Sequence, residues 1–133
     1  MPFYDVAAVA EAVGIDAKQL DNILSRNALD GVERRTRGVS RRLSVDAAVT
    51  IQLASEIAGT LGMPIGQALR ISAAIQQSAD HVVRVGDIAT LHADVARIRA
   101  TTIARLDGAV ELVGRRRRGR PPKPGRVPVV DAG

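Results

Sequence analysis

Aliphatic residues recur at helical spacing along most of this chain, and they are almost the only material available for a hydrophobic core. Alanine, valine, isoleucine and leucine supply most of the 46% hydrophobic content, whereas Phe3 and Tyr4 are the only aromatic residues. Spacings of three and four residues place such side chains on one face of an α-helix. The sequence therefore predicts a mainly α protein, and its 133 residues suit one small domain with a tail.

Residues 5–26 predict two helices joined by a tight turn. Asp5 and Asp16 are suitable N-caps, and Gly14 interrupts the helical pattern between them. The stretch resembles the helix-turn-helix of bacterial repressors. The matching residues are Ala10 where the helices cross, Gly14 in the turn, and Ile15, Leu20 and Ile23 at buried positions.

That resemblance implies that the second helix enters the major groove of DNA. It would present Lys18, Gln19, Asn22, Ser25 and Arg26. The amides of Gln19 and Asn22 suit the edges of adenine, while Asp16 and Asp21 leave the helix near neutral. The alternative is an ordinary helical hairpin that only contributes to a core.

Residues 29–43 are rich in glycine and arginine. Asp30-Gly31 is a turn signal and Gly38 centres a cationic loop, so residues 32–36 would pair with residues 39–43 as a small β-hairpin. The stretch carries five cations: Arg34, Arg35, Arg37, Arg41 and Arg42.

The succession of helix-turn-helix, arginine-bearing hairpin and a helix opening at Ser44 resembles the MerR-type winged-helix domain over residues 4–75. Leu43 stands where that family usually has an aromatic residue. The resemblance implies that the arginines of the wing hold the DNA backbone beside the groove. The alternative is a solvated basic loop.

Two core helices are predicted next, beginning at Ser44 and Pro64, with the second ending near Ser78. Residues 82–85 and 88–92 then flank Gly86-Asp87, which suits a hairpin with a two-residue loop. His81 and His92 would face each other across this hairpin, but further metal ligands are lacking, so we predict no metal site.

A last helix is predicted from Asp94, its N-cap, to about Val113, with Gly114 as its end. A long terminal helix of this kind is typical of a dimerisation element, and in MerR-like proteins it pairs in a coiled coil. We therefore expect a homodimer. The alternative is that the helix folds back onto its own core.

The tail is the most basic part of the chain. Residues 115–126 hold seven cations and no acid: Arg115, Arg116, Arg117, Arg118, Arg120, Lys123 and Arg126. Repulsion and three prolines predict an extended, disordered segment. Arg118-Gly119-Arg120-Pro121 resembles the AT-hook, which lies in the A·T-rich minor groove, although Arg117 stands where the usual motif has proline. The alternative is a basic tail that binds any polyanion.

Charge and composition exclude several other classes. Outside residues 34–42 and 115–126 there are seven cations against fourteen acids, so the basicity is concentrated in two places, as is typical of nucleic-acid binding. Cysteine is absent, and the sequence holds no nucleophile–base pair, P-loop or paired-carboxylate motif. We predict no catalytic residue, cofactor or small-molecule ligand, and a cytoplasmic, nucleoid-associated protein without membrane contact.

The sequence thus predicts a winged helix-turn-helix domain over residues 1–79, a β-hairpin and possible dimerisation helix over 80–113, and a disordered basic tail over 114–133. The function that fits best is a bacterial transcriptional regulator. It would read the major groove of double-stranded DNA and anchor its tail in an A·T-rich minor groove. The alternatives are an architectural nucleoid protein with little sequence specificity, an RNA-binding protein or a protein-interaction module.

Overall fold

The structure, a computed structural model, describes residues 3–33 and 41–118, with side chains as far as Val110. This part of the chain is mainly helical with small antiparallel sheets, as predicted. The helices are α1 (Val6–Val13), α2 (Ala17–Arg26), α3 (Val45–Leu61), α4 (Ile65–Gln77) and α5 (Val95–Arg118). The strands are β1 (Phe3–Asp5), β2 (Val32–Glu33), β3 (Arg42–Ser44), β4 (Val82–Val85) and β5 (Ala89–His92).

A three-stranded sheet of order β1-β3-β2 holds together the two ends of the α1–α2 unit. Leu43 on the central strand is fully buried and stands opposite Tyr4 on one side and Val32 on the other. The predicted pairing of Val32 with the strand that ends the arginine-rich stretch is confirmed, while residues 34–40 lie outside the described ranges. Strand β1 was not predicted, because three residues are too few to show alternation.

The predicted turn between α1 and α2 is confirmed. Asp5 Oδ1 accepts a hydrogen bond from the Ala8 amide at 2.9 Å and so caps α1. Gly14 has φ of +86° and ends the helix, with its amide and that of Ile15 both donating to the Ala10 carbonyl. Asp16 occupies the N-cap position of α2, but its side chain makes no capping hydrogen bond.

A second turn glycine fixes the sheet to α3. Gly31 has φ of +86°, and its carbonyl accepts from the Ser44 amide at 2.8 Å. A Cβ at this position would overlap Ser44 Oγ, which is already engaged in capping α3 through the Ala47 amide at 3.1 Å. The predicted turn at Asp30-Gly31 and the predicted cap at Ser44 are therefore parts of one junction, and only glycine fits there.

The second hairpin exists, but its loop was predicted too short. Val85 stands opposite Ala89, so Gly86, Asp87 and Ile88 form a three-residue loop, and the Ile88 side chain is 99% exposed. The two histidines do not face each other: His92 stands opposite Val82, while the His81 carbonyl accepts from the Ala93 amide. Within the described ranges no three His, Asp or Glu side chains gather as a potential metal site.

The last helix begins as predicted and ends later. Asp94 caps it through the Arg97 amide at 3.1 Å, but α5 continues through Gly114 to Arg118. A glycine within a helix costs only about 1 kcal/mol relative to alanine, and arginine is a good helix former. Cations near a helix C-terminus also interact favourably with its dipole. The predicted helix end at Gly114 is therefore wrong, and residues 114–118 belong to α5.

The helix folds back onto its own core and packs against α1 and α3. Thr102 and Leu106 are fully buried, and Ala109 is nearly so. Leu106 and Ala109 share one hydrophobic core with α1–α4, so residues on both sides of residue 79 contribute to it. The apolar side of this helix, which a coiled-coil dimer would need, is thus buried within the chain. No helix in the described ranges is both long and apolar enough to cross a membrane.

Candidate nucleic-acid interface

Helix α2 presents a polar face to solvent directly opposite its buried stripe. Leu20 is fully buried and Ile23 and Leu24 nearly so, which fixes the rotation of the helix on the core. The exposed residues include all five that the sequence assigned to DNA: Lys18, Gln19, Asn22, Ser25 and Arg26. They span the helix from its first turn to its last residue, so the whole length of α2 is accessible to a groove about one helix wide.

One of these five side chains already has a partner within the protein. Ser25 Oγ donates to the Asp21 carbonyl at 2.9 Å and accepts from Arg41 Nη2 at 3.5 Å. Arg41 Nη1 also lies 2.5 Å from Asp21 Oδ1. The assignment of Arg41 to DNA stays a prediction. In this structure its guanidinium is bonded to α2, and its side chain is only 19% exposed.

Arg42 is exposed, but it lies between acids. On the central strand β3 it stands opposite Asp5 of β1 and Glu33 of β2. Opposite charges on neighbouring strands stabilise a sheet modestly, and they also reduce the net charge that a phosphate would meet. Arg42 therefore offers less electrostatic attraction than its place in an arginine-rich stretch predicts.

The remaining predicted site residues fall outside what the structure describes, in whole or in part. Arg34, Arg35 and Arg37 precede residue 41 and lie outside the described ranges, as do Gly119, Arg120, Pro121, Lys123 and Arg126. Arg115, Arg116, Arg117 and Arg118 belong to α5 by their backbone, and their side chains are not described.

Helix α5 leaves the body of the protein beside the α1–α2 turn. Glu11 and Gly14 line a cleft together with Arg105 and Gly108, so this part of α5 lies against the end of α1. From Ala109 the helix continues about 13 Å to Arg118 at 1.5 Å per residue. The first four cations of the tail are thus carried on a helix that packs against the α1–α2 unit nearer its start.

This helical end alters the geometry of the AT-hook prediction. A minor-groove hook needs its core arginines in extended backbone, whereas Arg118 is the last residue of α5. Arg118 can enter a groove floor beside Gly119 only if the last turn of α5 unwinds.

A groove of about 760 Å³ lies between the end of α2 and α4, and the described residues that line it form no reactive constellation. Its wall includes Thr50, whose hydroxyl accepts from Gln76 Nε2 and whose carbonyl accepts from Ser72 Oγ at 2.9 Å. Arg99 and Asp46 form an ion pair at its edge, with Nη1 and Oδ1 2.5 Å apart. These groups satisfy one another and join α3 to α4 and α5.

Comparison with known proteins adds no family to these observations. No protein-family model, curated protein or solved structure matches this chain. The resemblances to the MerR-type domain and to the AT-hook stay predictions based on the residues that carry them.

Proposed function

We propose that this protein binds double-stranded DNA and acts as a bacterial transcriptional regulator of the winged helix-turn-helix type. In this proposal α2 lies in the major groove, and the arginine-rich segment that leads into β3 follows the backbone beside it. The basic end of α5 and the residues after it bind a neighbouring part of the duplex.

The observation that carries the proposal is the outer face of α2. It is exposed along its whole length and carries two amides, Gln19 and Asn22, between two cations, Lys18 and Arg26. Amides donate and accept together, which suits the N6 and N7 groups of adenine, while cations at the two ends suit phosphates. Since Leu20 and its neighbours bury the opposite side, this face is rigidly placed.

Charge supports the same partner. Twelve of the nineteen cations fall within residues 34–42 and 115–126, and the rest of the chain is net acidic. Both basic stretches connect to elements that contact the α1–α2 unit: one leads directly into β3, and the other begins in α5, which lies beside the turn at Gly14 through residues 105–109. A polyanion that meets α2 would therefore have both basic stretches as further sources of cations.

The test is selection of duplexes from a random pool by the full chain, followed by a single-mismatch scan of the best site. We expect a preferred site, with mismatches under α2 costing about 1–3 kcal/mol each. Equal affinity for every duplex of the same A·T content would contradict a regulator that reads sequence. If structured RNA displaces the selected duplex at concentrations at which scrambled DNA does not, the protein binds RNA instead.

An architectural nucleoid protein is the second candidate, and the charge of α2 favours it. Lys18 and Arg26 are matched by Asp16 and Asp21 on or beside the same helix, so the reading helix contributes little attraction of its own. Affinity would then come from the two arginine-rich stretches, which bind phosphates of any sequence. The mismatch scan separates this candidate from a regulator.

We also propose a homodimer, although the buried side of α5 is used within the chain. Ile103 and Val110 are exposed on α5, one heptad apart. Two copies would place two α2 helices on one duplex and raise the overall affinity through effective concentration. Sedimentation of the full chain with and without its preferred duplex tests this, and a single protein copy per palindromic site would contradict it.

A further inference from the structure

Arg41 differs from the other described cations near α2 because its guanidinium is bonded to that helix. Nη1 lies 2.5 Å from Asp21 Oδ1, and Nη2 lies 3.5 Å from Ser25 Oγ. The two partners are one helical turn apart on α2, so a single planar guanidinium spans both. Arg41 is separated from them by 20 and 16 residues, so this is a tertiary contact.

The partners lie at the border of the exposed polar face of α2. Asp21 precedes Asn22, and Ser25 precedes Arg26, so each partner is one residue from a side chain that faces solvent. Asp21 is partly exposed at 42% of its side chain. An unpaired carboxylate at this border would repel the phosphates on either side of a major groove. The ion pair with Arg41 neutralises it.

Arg41 is also the first described residue after the arginine-rich segment 34–40. It is followed directly by β3, where Leu43 is fully buried between two strands. The bond to Asp21 therefore ties the residue that precedes β3 to one particular turn of α2. A phosphate could bind the Arg41 guanidinium only by displacing Asp21, since most of the Arg41 side chain is already buried.

We infer that Arg41 is a positioning residue that holds the start of β3 against α2 and neutralises Asp21, and that it does not itself bind phosphate. The inference rests on the proposed binding of duplex DNA. It assigns one of the five arginines of residues 34–42 to positioning within the protein, where the sequence had assigned it to direct contact with DNA. The face that binds DNA is then set by two elements that are joined through a single ion pair.

A double-mutant cycle of Arg41→Met and Asp21→Ala tests this, using the full chain and its selected duplex. In the wild-type background we expect Arg41→Met to lower affinity on the order of tenfold, because the Asp21 carboxylate is left unpaired and the contact that holds β3 to α2 is lost. In the Asp21→Ala background the same change should cost about twofold or less. The slope of log affinity against log salt should stay the same, since no phosphate contact is lost.

The matched control is Arg26→Met, which removes an exposed cation from the same helix. It should lower affinity by the same factor in both backgrounds and reduce the salt slope by about one unit. If Arg41→Met behaves in that way too, Arg41 binds phosphate directly and the inference is overturned. If the wild-type chain binds no duplex, the proposed function fails, and the inference with it. Circular dichroism of each variant at the assay temperature confirms that folded protein is compared.

Discussion

Helices α2 and α5 both dock through a narrow buried stripe, but they carry opposite kinds of residue away from the core. The ten residues of α2 include two exposed amides, Gln19 and Asn22, and a carboxylate that is neutralised by Arg41. The twenty-four residues of α5 end in four consecutive arginines. Helix α2 thus offers hydrogen-bond donors and acceptors with little net charge, whereas the end of α5 offers a high positive charge.

The difference matches two ranges of interaction. An amide reads a base edge only within hydrogen-bonding distance, so its helix must be held to within a fraction of an ångström. Cations attract phosphates over about a Debye length, roughly 8 Å at physiological salt, and tolerate looser placement. The structure places α2 from three directions: the turn at Gly14, the buried Leu20, and the ion pair to Arg41. We therefore expect selectivity to depend on α2 and affinity to depend on the basic stretches.

The largest expected effects test whether both helices are equally part of the core. Leu20→Ala and Leu106→Ala each remove a fully buried leucine, and each should lower the free energy of unfolding by about 2–5 kcal/mol. Thermal and denaturant unfolding measure this. Ile88→Ala, at a residue 99% exposed in the loop between β4 and β5, is the control and should change stability by less than about 0.5 kcal/mol. A small effect at Leu106 alone would show that α5 is not docked in solution.

The second prediction separates the helical cations from those after the helix. Truncation after Gly114 removes seven cations, whereas truncation after Arg118 removes Arg120, Lys123 and Arg126 and keeps the arginines of α5. The shorter chain should bind DNA at least about tenfold more weakly at moderate salt, with a flatter salt dependence. The longer chain, which keeps the four arginines of α5, should bind DNA with an affinity between those of the shorter chain and the full chain. Identical isotherms for both truncations and the full chain would exclude this end of the protein from DNA binding.

The third prediction concerns α2. Gln19→Ala and Asn22→Ala should each cost about 1 kcal/mol on the preferred site and almost nothing on a scrambled duplex, because base readout is lost while charge is kept. Lys18→Ala is the contrasting control, with an equal loss on both duplexes and a salt slope lower by about one. Competitive binding to the two duplexes measures the ratio. If both amide variants lose the same affinity on the preferred site and on the scrambled duplex, α2 does not read bases.

Local signals in the sequence predicted the helix boundaries well. The caps at Asp5, Ser44 and Asp94 and the turn at Gly14 depend on a few neighbouring residues, and the structure confirms each of them. The exposed face of α2 was equally predictable, since helical periodicity fixes which side chains oppose the buried stripe.

Features that depend on distant parts of the chain were not predictable in the same way. The Asp21–Arg41 pair joins residues 20 apart, and nothing in either neighbourhood indicates it. The loop at Ile88 depends on the register between β4 and β5, which composition does not set. The end of α5 was placed at Gly114 because glycine often stops helices. A helix already anchored by tertiary packing tolerates Gly114 as well as Gly108, and the arginines after Gly114 favour helix.

The prediction with the smallest expected effect distinguishes two modes of DNA binding by the end of α5. If the last turn unwinds and Arg118 enters an A·T-rich minor groove with Arg120, changing both to lysine should reduce the preference for A·T tracts about two- to fivefold. Total affinity should stay within about twofold, because lysine keeps the charge but fits the narrow groove less well. Binding to matched A·T-rich and G·C-rich duplexes measures both quantities. If residues 115–118 stay helical on DNA, the two lysines should leave the preference unchanged, and the basic end of α5 would serve as a phosphate-binding helix. That result would sharpen the contrast between the two helices, since sequence preference would then come from α2 alone.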